Sequence, residues 1–298
     1  MANLKKLIFP LVILLALFAC TGKPEAEDPA EQSQSYEDTY EESPEQPEPQ
    51  ETQEAKPTAL QSYKYTWSKS DEMPDVVIII DDFGNSAGQL LDDFGDLPSE
   101  YVFAIMPDLA HTKAAADLAT RKGHEVIIHV PMEAENSKIS PGEKFISKNM
   151  EEEQIKAVLD DFIKQLPMAI AANNHMGSAT TANLQTMNKV IGHLKKKGLY
   201  FIDSVTSSQT AVYTAGVEQG VFTAKRDIFL DVPDVSEKTL AKKIQDLGKF
   251  KGRKEPVIII THCHNREKLV ALQKFVTQIK AMGINIVPLR DAFTKTVS

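Results

Sequence analysis

Short apolar runs recur along this chain, and stretches of helical periodicity lie between them. Val76–Ile80, Tyr101–Met106, Glu125–Val130, Ala169–Ala172, Leu199–Ile202, a weaker run at Gly220–Thr223, Val257–Thr261 and Asn285–Pro288 read as strands. Lys113–Lys122, Met150–Gln165, Asn183–Lys197, Ser236–Leu247 and Arg266–Met282 read as helices. The strongest runs are apolar throughout rather than alternating, the pattern of strands covered on both faces. Helix ends are marked as well: Asn149 stands as an N-cap before three glutamates, and Lys195, Lys196 and Lys197 precede Gly198. Alternation of this kind repeated six or seven times leaves an α/β fold with a parallel sheet, either closed as a barrel or doubly wound.

The runs end on polar residues. Asp81 and Asp82 close the first, His129 and then Glu133 another, and Asn173, Asn174 and His175 a third. Asp203 follows a fourth, and His262 and His264 a fifth. Chemistry gathered at the carboxyl ends of several parallel strands is how barrel enzymes build their sites. Two adjacent carboxylates repel, and burying either one unpaired costs on the order of several kcal/mol; a divalent cation removes that penalty. With Asp82 as a ligand, Asp81 stays available as a base. His129, Glu133 and His175 are candidate co-ligands, a nitrogen and oxygen set suited to zinc and related ions. His262 is placed to protonate a leaving group. Plainer roles stay open: a turn or helix cap for Asp81-Asp82 before Gly84, a core position for His129, a turn cap for Asp203. His262 and His264 flank Cys263 too closely for more than one or two ligands, and Cys263 itself reads as a buried neighbour of the site. Phosphate loops and nucleotide fingerprints do not occur in the sequence.

Ahead of these elements the composition is different. MANLKKLIFPLVILLALFACTG has a basic start, then Leu7–Phe18, too short for the roughly 20 apolar residues of a membrane span and suited to a signal peptide. Its end at Leu17-Phe18-Ala19-Cys20 resembles a bacterial lipoprotein processing site. A diacylglyceryl group on Cys20 would anchor the chain to a membrane, so the expected location is the bacterial cell envelope, exported and membrane-anchored. Residues 23–62 hold 12 acidic and 2 basic side chains and almost no large apolar ones, the composition of an acidic tether. With that segment and Lys5 and Lys6 set aside, residues 63–298 carry −1 of the net −9, which argues against a nucleic-acid partner. Two cysteines, Cys20 and Cys263, make no disulfide framework. The expected organisation is a signal segment at 1–20, a linker at 21–70 and one domain at 71–298, with apolar patterning building from about Tyr63.

The order of motifs from Asp75 to Arg290 resembles the polysaccharide deacetylases with a NodB-like domain, and most closely their divergent branch. IIIDDFG looks like the first family motif, which would make Asp81 the base and Asp82 a metal ligand. GHEVIIHVPME is similar to the second, with His129 in the first ligand position and Glu133 where a second histidine usually stands. NNHMGS lies where the family has an arginine that orients the base, and it contains none; Arg226 or a backbone contact is expected to take that part. LYFIDS places Asp203 and VIIITHCHN places His262, the latter as general acid. IDDFG, HVPME, NNHMGS, FIDS and RDIFLD read as signatures of the divergent branch, in which His175 would replace the lost histidine. The resemblance implies a distorted (β/α) barrel of about seven parallel strands. It implies a divalent metal, zinc in the first instance, on Asp82, His129 and His175, with Glu133 beside or among them. The expected activity is removal of acyl groups, foremost acetyl, from an envelope glycan. The rival expectation is a non-catalytic envelope lipoprotein that binds a glycan or a protein partner.

Overall fold

The computed structural model describes residues 63–136 and 138–294. Eight strands run β1 (Val76–Phe83), β2 (Val102–Ile105), β3 (Val126–Met132), β4 (Ala171–Met176), β5 (Tyr200–Asp203), β6 (Thr223–Lys225), β7 (Ile228–Phe229) and β8 (Val257–His262). The helices are α1 (Gly88–Gly95), α2 (Thr112–Lys122), α3 (Glu152–Gln165), α4 (Ser178–Thr181), α5 (Leu184–Lys196), α6 (Val212–Gln219), α7 (Glu237–Leu247), α8 (Arg266–Ala281) and α9 (Leu289–Thr294). All strand pairs are parallel, in the order β6-β5-β4-β3-β2-β1-β8-β7. Neighbours in the sheet are thus neighbours in sequence, apart from the β1–β8 pair, so the sheet winds one way.

The two strands at the ends of that order are separated by only Arg226 and Asp227. Since one short stretch of chain supplies both edges, the sheet has to curl until they meet. At the seam the Arg226 N–H donates to the Asp203 carbonyl at 2.8 Å, and the Asp227 N–H to the Ile258 carbonyl at 2.8 Å. With β6 and β7 counted as one interrupted strand, the result is a distorted (β/α) barrel of seven staves, and the doubly wound alternative falls away.

Period-two alternation sorts the strand residues into two cores. Ile78, Ile80, Phe103, Ile105 and Ile128 pack outward against helical Phe94, Leu159, Phe162, Val190 and Phe275. Val77, Ile79, Ala104, Ile127, Ile202 and Ile260 point into the barrel, where Leu289, Ala292 and Phe293 of α9 join them. The double covering explains why the runs are apolar throughout. Asn285–Pro288, expected as a strand, makes only the single bridge Val76↔Ile286 before α9 begins. The third helix starts later than expected: Glu151, not Asn149, is its N-cap, and Glu151 and Gln154 close a reciprocal capping box.

No helix crosses between β6 and β7, and the chain ahead of β1 covers the gap. Tyr63 is buried, with its ring 4.8 Å from that of Tyr213 in α6. The Arg253 guanidinium lies 4.1 Å from the Tyr65 ring and forms a two-pronged pair with Asp227 at 3.0 and 2.6 Å. The Thr66 N–H donates to the Glu255 carboxylate, and Trp67 bridges to Arg253. The first described residues, from Tyr63, thus already pack against the domain, within the segment that composition assigned to the linker. Cys20 and the acidic stretch lie outside the described residues.

Candidate metal centre

Alternation along β1 sends Asp81 inward with Val77 and Ile79 and would send Asp82 outward with Ile80. The β1–β2 register slips between Ile80 and Phe83, and Asp82 takes a left-handed φ of 70°. That bulge turns the second carboxylate back toward the first, and both are buried. Aspartate tolerates this backbone region better than most residues. Asp108, Asn136, Met176 and Val205 also have positive φ, each at or just past the carboxyl end of β2, β3, β4 or β5 in turn. Backbone strain thus collects on one face of the barrel, as it does at functional sites.

His129 and Asn173 face each other in the β3–β4 ladder, and His175 lies opposite Pro131. Asp82 Oδ1 is 3.1 Å from His129 Nε2 and 3.1 Å from His175 Nδ1. The two imidazole nitrogens are 3.2 Å apart. These three atoms form the one cluster among the described residues with the composition and closeness of a metal-ligand set. Metal–ligand bonds of about 2.0–2.1 Å place neighbouring atoms of a tetrahedral shell roughly 3.3 Å apart, close to this triangle. Asp82 Oδ1 is buried and, despite its two near neighbours, accepts no aligned hydrogen bond. Three electron-pair donors converging on one point fit a divalent cation.

The electrostatics agree with the geometry. Burial would raise the Asp82 carboxyl, but the His175 charge and the close approach of the His129, His175 and His264 ring nitrogens outweigh it and hold the group well below the carboxylate range. His264 Nε2 lies 2.5 Å from Asp82 Oδ2, so the second carboxylate oxygen is also held. Burial raises Asp81, against the pull of His129 and His262. Asn173 serves both sides of the site: its Nδ2 donates to Asp81 Oδ1 at 2.9 Å, and its Oδ1 lies 2.7 Å from His129 Nδ1.

His262 closes β8 directly beside Asp81 in the ladder. Its partner is Asp231, two residues past β7: the Asp231 carboxylate accepts from the His262 backbone N–H at 3.0 Å and lies 3.0 and 3.1 Å from Nδ1. Lys268 of α8 approaches the same carboxylate at 3.0 Å. Burial opposes protonation of His262, yet the charge and hydrogen bond of Asp231 push its imidazole up to about 9. Sequence reasoning does not single out Asp231, for which RDIFLD, ending on it, is the available signal, and it treats His264 only as part of a tight histidine pair.

Two expected site residues sit elsewhere. Glu133 turns its carboxylate to the Lys148 N–H at 2.9 Å, and its carbonyl accepts from Ala179 and Thr180, so it ties loops together rather than joining the triangle. Asp203 alternates outward from Ile202; its Oδ1 accepts from the Val205 N–H at 2.8 Å, and Thr210, Arg226 and Lys225 surround it. Arg226 is engaged just past the end of β5. It donates to the Ser204 and Val205 carbonyls at 2.7 and 2.9 Å and stacks 3.6 Å from the Phe229 ring. Cys263 is buried in the outer core.

A one-way-wound barrel that carries an aspartate–dihistidine cluster beside a buried His–Asp pair is a hydrolase-like scaffold. Residues 78–293 match the divergent polysaccharide deacetylase family, and the chain belongs to it. It is 38% identical over 159 residues to the uncharacterised Escherichia coli K12 protein YibQ, covering 52% of this chain and 48% of that protein. An uncharacterised Haemophilus influenzae protein is 33% identical over 157 residues, covering 52% of this chain and 55% of its own length. The chain thus spans about half the length of the curated relatives it matches. An uncharacterised protein of solved structure from Agrobacterium tumefaciens C58 shares the fold, with TM-score 0.67 at 21% identity over 77% of this chain and 92% of that one.

Proposed function

We propose that this protein is a metal-dependent hydrolase that removes acyl groups, acetyl foremost, from a cell-envelope polysaccharide. The observation that carries the reading is the triangle of Asp82, His129 and His175 with Asp81 and the His262–Asp231 pair next to it. Zinc fits the donor set best; bound there, it would supply Lewis acidity toward the acyl carbonyl and acidify water.

The chain's own groups provide the proton transfers. Asp81, steered by Asn173, takes the proton of the attacking water. The Nδ1–H of His262 is committed to Asp231, and the ionised Asp231 favours imidazolium, so the Nε2–H is the proton to give to the departing amine or alcohol. One proton enters at Asp81 and one leaves from His262, and exchange with solvent restores both. Glu133 and Asp203 support the loops around the site. Lipid on Cys20 and the acidic segment after it would hold the domain within reach of glycan at the bacterial envelope, with no nucleic-acid partner.

The test is acetate release from acetylated glycans, both amide- and ester-linked, by the intact protein with zinc and with a chelator. Release that depends on zinc and is lost in Asp81→Asn supports the reading. A protein that holds zinc yet releases no acetate from any of them would favour a glycan-binding role.

A further inference from the structure

We propose that Asn173 is a positioning residue that joins the general base to the cation site and keeps His129 in the tautomer able to ligate. The inference rests on the reading of Asp81, Asp82 and His129 as a working site. It adds a single neutral side chain on which both the base and a ligand depend.

The donors and acceptors leave one arrangement. Asp81 is a carboxylate and only accepts, so the group facing its Oδ1 at 2.9 Å has to be the Asn173 NH2. The same nitrogen donates to Ser204 Oγ at 3.3 Å, which helps hold the amide in that orientation. The amide oxygen then faces His129 Nδ1 at 2.7 Å, and because it too only accepts, Nδ1 carries the hydrogen. His129 Nε2 is left with its lone pair, and it is this atom that lies 3.1 Å from Asp82 Oδ1 and 3.2 Å from His175 Nδ1. The partner of a ligating imidazole's second nitrogen sets its tautomer and ring orientation. Here that partner is itself anchored on the base.

The backbone makes the arrangement rigid. Asn173 and His129 are direct neighbours on adjacent strands, and Asn173 is fully buried. Asparagine also suits the position chemically. Leucine would offer neither bond, and aspartate would put a second carboxylate against Asp81. Arg226, expected from the sequence to take the orienting part, donates to the Ser204 and Val205 carbonyls.

The experiment uses the intact protein purified in detergent, with two variants. Asn173→Leu keeps the volume and removes both bonds. Asn173→Asp keeps an acceptor for His129, a carboxylate–histidine pair of the kind that supports zinc sites, and removes the donor to Asp81. Zinc affinity is measured by calorimetry. The His129 tautomer is read from 15N-histidine spectra of metal-free protein on the alkaline side of the imidazole titration, assigned with His129→Gln. In Asn173→Leu, zinc affinity is expected to fall about 10- to 100-fold and His129 to lose its Nδ1–H signature. In Asn173→Asp, the signature and zinc binding persist while turnover is lost. Zinc affinity in Asn173→Leu equal to wild type, with the signature unchanged, would overturn the inference and leave the proposed hydrolase standing. If the wild type takes up no zinc, the hydrolase reading falls, and the tautomer comparison still decides the part played by Asn173.

Discussion

At the scale of single residues, the site depends on groups whose charge is set by what surrounds them. Asp82 has a φ of 70°, so the two obvious replacements differ. Asp82→Asn keeps a side chain that tolerates this backbone and loses only the charge, whereas Asp82→Ala adds backbone strain of roughly 1 kcal/mol or more. Both variants are expected to lose the metal, and only the alanine variant to lose appreciable thermal stability; elemental analysis and a melting curve separate the two effects. Asp81→Asn should retain zinc and lose turnover by about 10²–10⁴-fold, the usual share of a general base. Zinc lost from that variant would move Asp81 into the ligand set. His262 supplies a pH prediction. Its imidazole is pushed up to about 9 in the folded protein, above an ordinary value of about 6.5. A raised pKa stabilises the fold fully below the unfolded value, and the contribution is lost as pH rises from about 6.5 to about 9. Metal-free protein should therefore lose stability to urea across that window. Asp231→Asn should flatten the loss, and an unchanged slope would break the link between this pair and the pH dependence.

At the scale of elements, the sequence was most readable where a segment is long and its surroundings uniform. Val76–Ile80 and Val257–Thr261 read as buried strands because they are covered on both faces, and the structure places them side by side. Sequence periodicity does not predict α1, α4, α6, α9 or β7: Gly88 opens α1, Gly216 lies inside α6, α4 and α9 have four and six residues, and β7 has two, too few for any period to register. The cap of α3 also moved, from Asn149 to Glu151. Sequence spacing permits either residue, and only the capping box with Gln154 selects one. Glu151→Ala should cost about 0.5–2 kcal/mol, the usual range for a lost N-cap, and Asn149→Ala close to nothing; equal losses in urea unfolding would contradict the assignment. The β1 bulge lay beyond sequence reasoning for a similar reason. Alternation predicts opposite faces for Asp81 and Asp82, and a register slip against β2 decides otherwise.

At the scale of the whole molecule, the seam between β6 and β7 is where the barrel closes without a helix, and the chain around Tyr63 and Tyr65 covers it. Removing residues 63–70 should uncover the buried Arg253–Asp227 pair and lower the thermal midpoint, with zinc affinity kept within a few-fold because the triangle lies on other strands. Unchanged thermal stability would show that the segment does not support the seam. The amino-acid sequence by itself determined the parallel α/β architecture and the end of the sheet that carries the polar residues, both of which follow from periodicity; for the cation site it offered Asp82, His129, His175 and Glu133 without separating the last from the rest. The tertiary structure alone decided that Asp231 partners His262, that Asn173 lies between Asp81 and His129, and that Glu133 and Asp203 turn away. Such pairings depend on strand register and on one left-handed residue. A single step of register exchanges the two faces of a strand, and local sequence does not encode which neighbour a side chain will meet.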